Sequence, residues 1–374
     1  MRSKKSVTLH DIAQALKISV SSVSLAIGNQ PGISAELRAQ IIAKAQELGY
    51  RKSKRSAAPW TNASTNQANQ EPTSEVRPVL TTPPELNVNE LRLDVLIDNI
   101  FTQELSSFYM EIFRQISQLS LANNISVFIQ VLDHHNAEHN EQLLRHLHSV
   151  QPQGVIVIGQ IKEHDLYLLK SNLLCPVVFI DYYLESEKHY HFVQIDSFSG
   201  MHRLVKNLIE EYHYTDMCFV GSINNTVSIL DRYLGYVKAL QEHGLTESCQ
   251  RILPDRSSDD RIQVVLPQDP SFKLPQVFVC NCDQTALALI KALQQRGIKV
   301  PEQVGVCGFD NFIDRSDESM VQSLGLKIHT FDHSTKQLAY VALESLLHQL
   351  TTNYAPHLSY IEGHIVPGNT VKVL

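Results

Sequence analysis

The chain has 374 residues, enough for two or three domains, and a formal net charge of −7 that by itself argues against a nucleic-acid partner. No stretch approaches the about 18–20 apolar residues of a membrane span, which excludes an integral helical membrane protein. "MRSKKSVTLH" lacks the apolar region of a secretory signal, and six scattered cysteines do not suggest a disulfide framework, so the cytoplasm is the expected location. The charge is unevenly placed. Residues 1–55 carry ten Lys or Arg against three Asp or Glu, a net of +7, which leaves −14 for the rest. A basic head on an acidic body is the electrostatic footprint of a module that sits on phosphates while its partner domain stays off them.

The first predicted helix begins at Thr8, with Asp11 at capping-box spacing, and shows one apolar face of Leu9, Ile12, Ala13 and Leu16. Lys17-Ile18 makes a turn, and Ser19 can cap a second helix whose inward residues are Val23, Ala26 and Ile27. Val20, Ser21, Ser22, Ser24 and Leu25 are left outward or near the rim. Asn29-Gln30-Pro31-Gly32 breaks the chain. Ser34 then caps a third helix with an inner face of Leu37, Ile41, Ala45 and Leu48. Three short helices with the second presented at its N-terminal end make a helix-turn-helix. Small hydroxyl side chains let that helix approach the major groove, and they can pair with phosphates and base edges. A helical module for protein contacts shares the pattern, but the local charge and the exposed serines favour DNA.

Residues 53–89 are rich in Ser, Thr, Asn, Gln and Pro and read as a flexible linker. Beyond Leu91, β-rich runs such as "RLDVLID", "GVIVIG", "PVVFID", "DMCFVGS", "QVFVCN" and "VGVCGFD" alternate with helical stretches. That alternation means βαβ units and parallel sheets covered on both faces. The strand count exceeds one small sheet, and the polar "DYYLESEKHYH" interrupts the series, so two doubly wound lobes are expected. Ligands then sit at the carboxyl ends of strands, in a cleft between lobes.

"VTLHDIAQALKISVSSVSLAIGNQPGISAELRAQIIAKAQELGY" (residues 7–50) resembles, without gaps, the headpiece of the lactose/galactose-repressor (LacI/GalR) family. "VQIDSFSG", "DRYLGYVKAL", "CDQTALALIKALQQRGIKVPEQVGVCGFD" and "IEGHIVPGNT" resemble its effector-binding region, which is similar to periplasmic sugar-binding proteins. The likeness covers all but the linker. It implies an N-terminal all-α helix-turn-helix headpiece (residues 1–52), an atypical hinge and low-complexity linker (53–89), and an α/β two-lobed periplasmic-binding-protein-like effector domain (90–374) with two doubly wound parallel sheets. Lobe N is expected at about 90–192 plus 329–352, and lobe C at about 193–328 plus 353–374. It further implies a homodimer that binds a pseudo-palindromic operator in double-stranded DNA under the control of a small-molecule effector.

By position, Val20 and Ser21 are the first-turn base readers, and Ser22 and Ser24 contact phosphates or bases; Thr8, Ser19 and Asn29 complete the set. Leu25 departs from the family, which commonly has Arg there. A lost guanine fork is worth about 1–3 kcal/mol of discrimination, so operator preference should differ at that base pair. The family's hinge folds on DNA and wedges a leucine into the minor groove. Here its Pro-Asn start is Lys52-Ser53 and the wedge position is Pro59, a residue that costs about 3 kcal/mol within a helix. Either the kink is absent and Lys52, Lys54 and Arg55 serve as phosphate contacts on a tether, or the linker is merely longer.

In the body, Arg232 matches the arginine that forks onto sugar hydroxyls or a carboxylate, and Asp310 an aspartate that accepts from two vicinal hydroxyls. Each also has a structural reading, Arg232 as a salt bridge and Asp310 as a cap. Asp283 follows a strand, where Cys282 replaces the family's usual Asn; Asp283 is a ligand contact or a helix cap. Asp98 and Asp196 end strands, Asp196 with a cap as its alternative. Phe101 and Phe108 can stack on a sugar face, Phe108 with the core as its alternative, and His333 stands where a glutamine is common. The set suits a neutral, hydroxyl-rich ligand, since neither GxGxxG nor GxxxxGK[ST] is present.

His134, His135, His139, His146 and His148 include an i, i+4 pair but read as a solvated helix face, and Cys280-x-Cys282 as buried strand thiols, so neither metal nor cofactor is expected. GxSxG, HExxH and CxxC are absent, and no enzyme is expected. The reading is a regulator, expected to repress carbohydrate-utilisation genes in response to a sugar. Its alternative is a relative that has lost sugar sensing and answers to a partner protein or another small molecule.

Overall fold

The computed structural model describes residues 9–16, 18, 23, 26, 35–48, 91–102, 107–184, 187, 189–246, 251–257, 261–269, 271–313, 315–351 and 355–374. The chain divides into two compact units, Met1–Glu75 and Val76–Leu374. The expected linker, 53–89, lies outside the described residues.

In the first unit, α1 (Leu9–Leu16) and α2 (Ala35–Glu47) pack through Ile12, Ala13, Ile41 and Ala45, with Leu16, Leu37 and Leu48 at the margin. Val23 and Ala26, both helical and buried, close the third side. These are the inward positions that the 3.6-residue periodicity marks. The Ile18 amide donates to Ala13 O (3.1 Å) where α1 ends. Arg38 Nη1 donates to Ala26 O (3.2 Å), tying α2 to the helical turn that carries Ala26.

In the second unit, a six-stranded sheet has the order β11-β5-β4-β3-β1-β2. Its strands are β1 (Arg92–Asp98), β2 (Ser126–Leu132), β3 (Gly154–Ile158), β4 (Val177–Ile180), β5 (His191–Ile195) and β11 (Leu358–Ile361), all paired in parallel. Leu93, Val95 and Ile97 of β1 pack under Ile112 and Ile116 of α3 (Phe108–Ala122) and Leu343 of α10 (Thr335–Thr351). Leu96, between them, faces the other side with Leu144 and Leu147 of α4 (Ala137–Val150) and Leu166 and Leu169 of α5 (Glu163–Asn172). Burying one such side chain contributes about 1.5–3 kcal/mol, and a strand covered on both faces reads as a nearly unbroken apolar run.

A four-stranded parallel sheet has the order β7-β6-β8-β9, from β6 (Met217–Val220), β7 (Ile252–Leu253), β8 (Val277–Cys280) and β9 (Gly305–Cys307). Its faces are covered by α6 (Ser197–Glu210) and α7 (Val227–Glu242) on one side and α8 (Asp283–Gln295) on the other. The remaining elements are α9 (Arg315–Ser323) and an antiparallel ribbon of β10 (Thr330–Asp332) with β12 (His364–Val366). The chain crosses between lobes after β5, β10 and β11.

The lobe limits therefore differ from the sequence expectation. Residues 193–195 and 358–361 belong to the lobe N sheet, because β5 completes its pairing with β4 and β11 adds along the free edge of β5. Each sheet reverses strand order beside its first strand, at β1 and β6, so both crevices open at the carboxyl ends toward one cleft.

Candidate functional site

Arg232, on α7, is 5 % exposed. Its Nη2 lies 2.9 Å from Asp310 Oδ1 and its Nη1 donates to Asp310 Oδ2 at 3.2 Å, a two-pronged ion pair. Nη1 also donates to Asn281 O (2.6 Å), Nε to Ser197 Oγ (3.4 Å), and the guanidinium lies 4.3 Å from the centre of the Phe309 ring. Asp310 follows β9 with φ of +94°, which turns its carboxylate back toward α7. Burial pushes that carboxyl above the usual range, against the pull of Arg232. His333 is buried between Phe108 (5.4 Å) and Phe309 (5.8 Å), with Nε2 3.7 Å from Asp310 Oδ1. Burial and the Arg232 charge hold the imidazole well below its ordinary pKa, so it is neutral.

Lobe N supplies the facing wall. Tyr109, on α3, donates to Asp181 Oδ2 at 2.7 Å, and Phe101 packs on Tyr109 with centroids 4.5 Å apart. Asp181 follows β4, and burial pushes its carboxyl up to about 6, against Arg232 and the Tyr109 hydroxyl. Phe108 meets Phe312 of lobe C edge-on at 5.9 Å. A groove of about 1090 Å³ opens beside this cluster, lined by Ser107, Met110 and Phe113 on one side and Asp283, Asp310 and Phe312 on the other. Asp181 Oδ1, Asn281 Oδ1, Asp283 Oδ1 and both ring nitrogens of His333 are buried without a hydrogen-bond partner among the described residues. Each such atom costs about 1–3 kcal/mol, and their gathering around one cleft marks where a polar ligand would complete them.

Of the residues singled out in the sequence, Arg232, Asp310, His333, Phe108 and Phe101 come together here. Asp283 lines the groove, but its Oδ2 accepts from Phe312 N (2.9 Å), so it braces the loop after β9; Cys282, not Asp283, is the cap residue of α8. Asp196 caps α6 through Ser199 N (3.0 Å), the second of its two readings. Asp98 is engaged by Ile100 N and by His134 Nδ1 (both 3.0 Å). Cys282 is half-buried and lies beyond the end of β8, a correction to its reading as a buried strand thiol; Cys280 is buried as expected.

Tyr109, Asp181, Asn281 and Ser197 were missed. Asp181 carried the same signal as Asp98 and Asp196, an aspartate at a strand's carboxyl end; Tyr109 carried none. His135 and His139 are exposed, and no group of three or more His, Cys, Asp or Glu among the described residues is placed to hold a metal. In the head, Thr8, Ser19, Val20, Ser21, Ser22, Ser24, Leu25, Asn29, Lys52, Lys54 and Arg55 lie outside the described residues. No helix among the described residues is long and apolar enough to cross a membrane.

A helical head and a two-lobed receptor with a polar cleft define a class, the ligand-responsive regulators of transcription. Residues 8–53 match the family described as bacterial regulatory proteins, lacI family, and residues 205–371 the periplasmic binding protein-like domain. The HTH-type transcriptional repressor PurR of Pasteurella multocida is 25 % identical over 318 residues, 81 % of this chain and 82 % of its own. Two solved structures share the fold. The transcriptional regulator CelR in complex with cellobiose has a TM-score of 0.60 and 17 % identity over 97 % of this chain and 99 % of its own. The Lac repressor dimer bound to operator and the anti-inducer ONPF has a TM-score of 0.59 and 15 % identity over 98 % and 100 %. The chain thus joins a lacI-family DNA-binding domain to a periplasmic binding protein-like domain and is a DNA-binding, effector-controlled transcriptional regulator.

Proposed function

We propose that this regulator acts in the cytoplasm as a homodimeric repressor, holding a pseudo-palindromic operator through its heads and sensing a saccharide in the cleft between its lobes. The observation that carries the effector reading is the inter-lobe cluster of Arg232, Asp310, His333 and Asp181, with unpartnered buried polar atoms beside the Phe108 and Tyr109 rings. Fixed donors and acceptors next to aromatic faces suit the hydroxyl edges and apolar faces of a sugar ring. The cellobiose held by the CelR structure supports the same class of ligand. On this reading Val20, Ser21, Ser22, Ser24 and Leu25 face the major groove, Lys52, Lys54 and Arg55 contact phosphates, and the genes controlled serve carbohydrate use. Sugar binding changes operator affinity only as far as it binds one lobe arrangement better than the other.

The test is selection of sites from randomised duplex DNA with the full chain, followed by anisotropy titrations with and without a panel of sugars. Two inverted half-sites, and at least one sugar that shifts operator affinity about five-fold or more, are the expected outcome. Enrichment of no sequence would overturn the DNA reading, and sugars without effect in titrations and calorimetry would overturn the effector reading.

A further inference from the structure

A second arginine of lobe C stands beyond the carboxyl end of β7. Arg256 follows β7 and is bridged in antiparallel fashion to Ile262. The neighbouring Asp255 is fully buried, and its carboxylate is saturated: Oδ1 accepts from Ser222 N (2.8 Å), and Oδ2 from Thr285 Oγ1 (2.7 Å) and Arg256 Nη1. Thr285 Oγ1 in turn accepts from Cys282 Sγ at 3.3 Å. Cys282 follows Asn281, the residue whose carbonyl holds Arg232. One connected row, Arg256–Asp255–Thr285–Cys282, thus runs along the carboxyl ends of β7 and β8 to the Arg232 pair.

The guanidinium of Arg256 is held at one corner. Its side chain is 17 % exposed and only Nη1 is engaged, by Asp255 O and Oδ2. Nε and Nη2 have no partner among the described residues. They form the edge with which arginine grips a carboxylate or phosphate through two parallel hydrogen bonds. An arginine already anchored on a buried carboxylate has little side-chain freedom left to lose on binding. It offers donors only, so the group it takes must be an acceptor. The acceptors that suit sugar hydroxyls, Asp310, Asp181 and the neutral His333, stand elsewhere in the cleft.

We infer that Arg256 forms an oxyanion subsite, so that the effector is an acidic saccharide, a sugar carboxylate or sugar phosphate, with its anionic group on Arg256 and its hydroxyls toward Arg232 and Asp310. This rests on the reading of the cleft as a saccharide site. It also revises the neutral ligand suggested by the lack of a glycine-rich phosphate cradle, because a single forked side chain does the work of that loop.

The test is calorimetry on the full chain with a panel of neutral hexoses and disaccharides, each paired with its uronic or aldonic acid and with its phosphate ester. At least one acidic member is expected to bind ten-fold or more tightly than its neutral parent, the carboxylate and phosphate arms deciding which oxyanion fits. Arg256→Gln is expected to bring that member within two-fold of its parent. Arg256→Lys, which keeps the charge without the fork, should fall between, and unliganded melting curves matching the parent chain show that both variants fold. Equal binding of neutral and acidic members, or an acid preference that survives Arg256→Gln, overturns the subsite alone. Binding of no member overturns the saccharide reading and the subsite with it.

Discussion

Arg232 and Asp310 depend on each other. Arg232 is buried and the Asp310 side chain is only 9 % exposed, so taking one away leaves a poorly solvated charge. Arg232→Met is therefore expected to destabilise the chain by about 3–5 kcal/mol at pH 7.5, read as a fall in the urea midpoint. Adding Asp310→Asn should recover most of that loss; a double variant no more stable than the single one would mean that packing, not charge, is what Arg232 contributes. Asp181 behaves in the opposite sense. Its carboxyl is raised from 3.8 to about 6, so the folded chain holds this proton more tightly than the unfolded chain. The associated stability is complete below pH 3.8 and is lost as pH rises through 6. Asp181→Asn keeps an acceptor for Tyr109 but does not ionise. It should be more stable than the parent at pH 7.5, by at most about 3 kcal/mol, and nearly indistinguishable from it at pH 3.5. The same shift at both pH values would contradict this.

At the scale of elements, the seat of Arg232 is set by how closely α6 and α7 approach. A Cβ on Gly235 would fall 2.3 Å from Phe198 O and 3.0 Å from His202 N, both backbone atoms of α6 that cannot swing aside. Alanine gains about 1 kcal/mol over glycine in helix propensity. A clash with backbone at that distance outweighs the gain, because the helices must part and the packing of Met201, Leu204, Tyr236 and Ala239 parts with them. Gly235→Ala is expected to cost a net 1–3 kcal/mol, on the order of other overpacked sites, and to weaken effector binding. An unchanged or raised denaturation midpoint would show that the contact relaxes easily. The same helices are bridged by His202–Glu242 and His243–Glu210, exposed pairs that add little beside the buried contacts.

Over the whole molecule, the separation of charge matters more than its sum. A head of +7 on a body of −14 concentrates the attraction to phosphate in about fifty residues. If the heads of a dimer make about 6–10 phosphate contacts, operator affinity should fall about 10³–10⁵-fold between 50 and 200 mM salt. Anisotropy titrations across that range measure the slope, and a flat profile would remove the electrostatic role of the head. On the proposed reading sensing is a property of the body, where groups from both lobes share one cleft. A ligand bound there touches α3 and the end of β4 from lobe N and α7 and the loop after β9 from lobe C, so it can favour one lobe arrangement over another.

The sequence by itself determined which face of each element is apolar. The faces of the head helices, with Ile12, Ala13, Val23, Ala26, Ile41 and Ala45 turned inward, follow from 3.6-residue periodicity. The alternation of buried strands and amphipathic helices follows from apolar runs and cap residues, which the chain carries locally. The tertiary structure alone decided which strand ends meet. Arg232 finds Asp310 across 78 residues and Tyr109 finds Asp181 across 72. Asp98 and Asp196, aspartates at strand ends like Asp181, are taken by a histidine and by helix caps. β11 joins the lobe N sheet although the next strand, β12, leaves it to pair with β10. Local pattern records which side of an element is apolar; it does not record the order of strands in a sheet, and that order sets which side chains share the cleft.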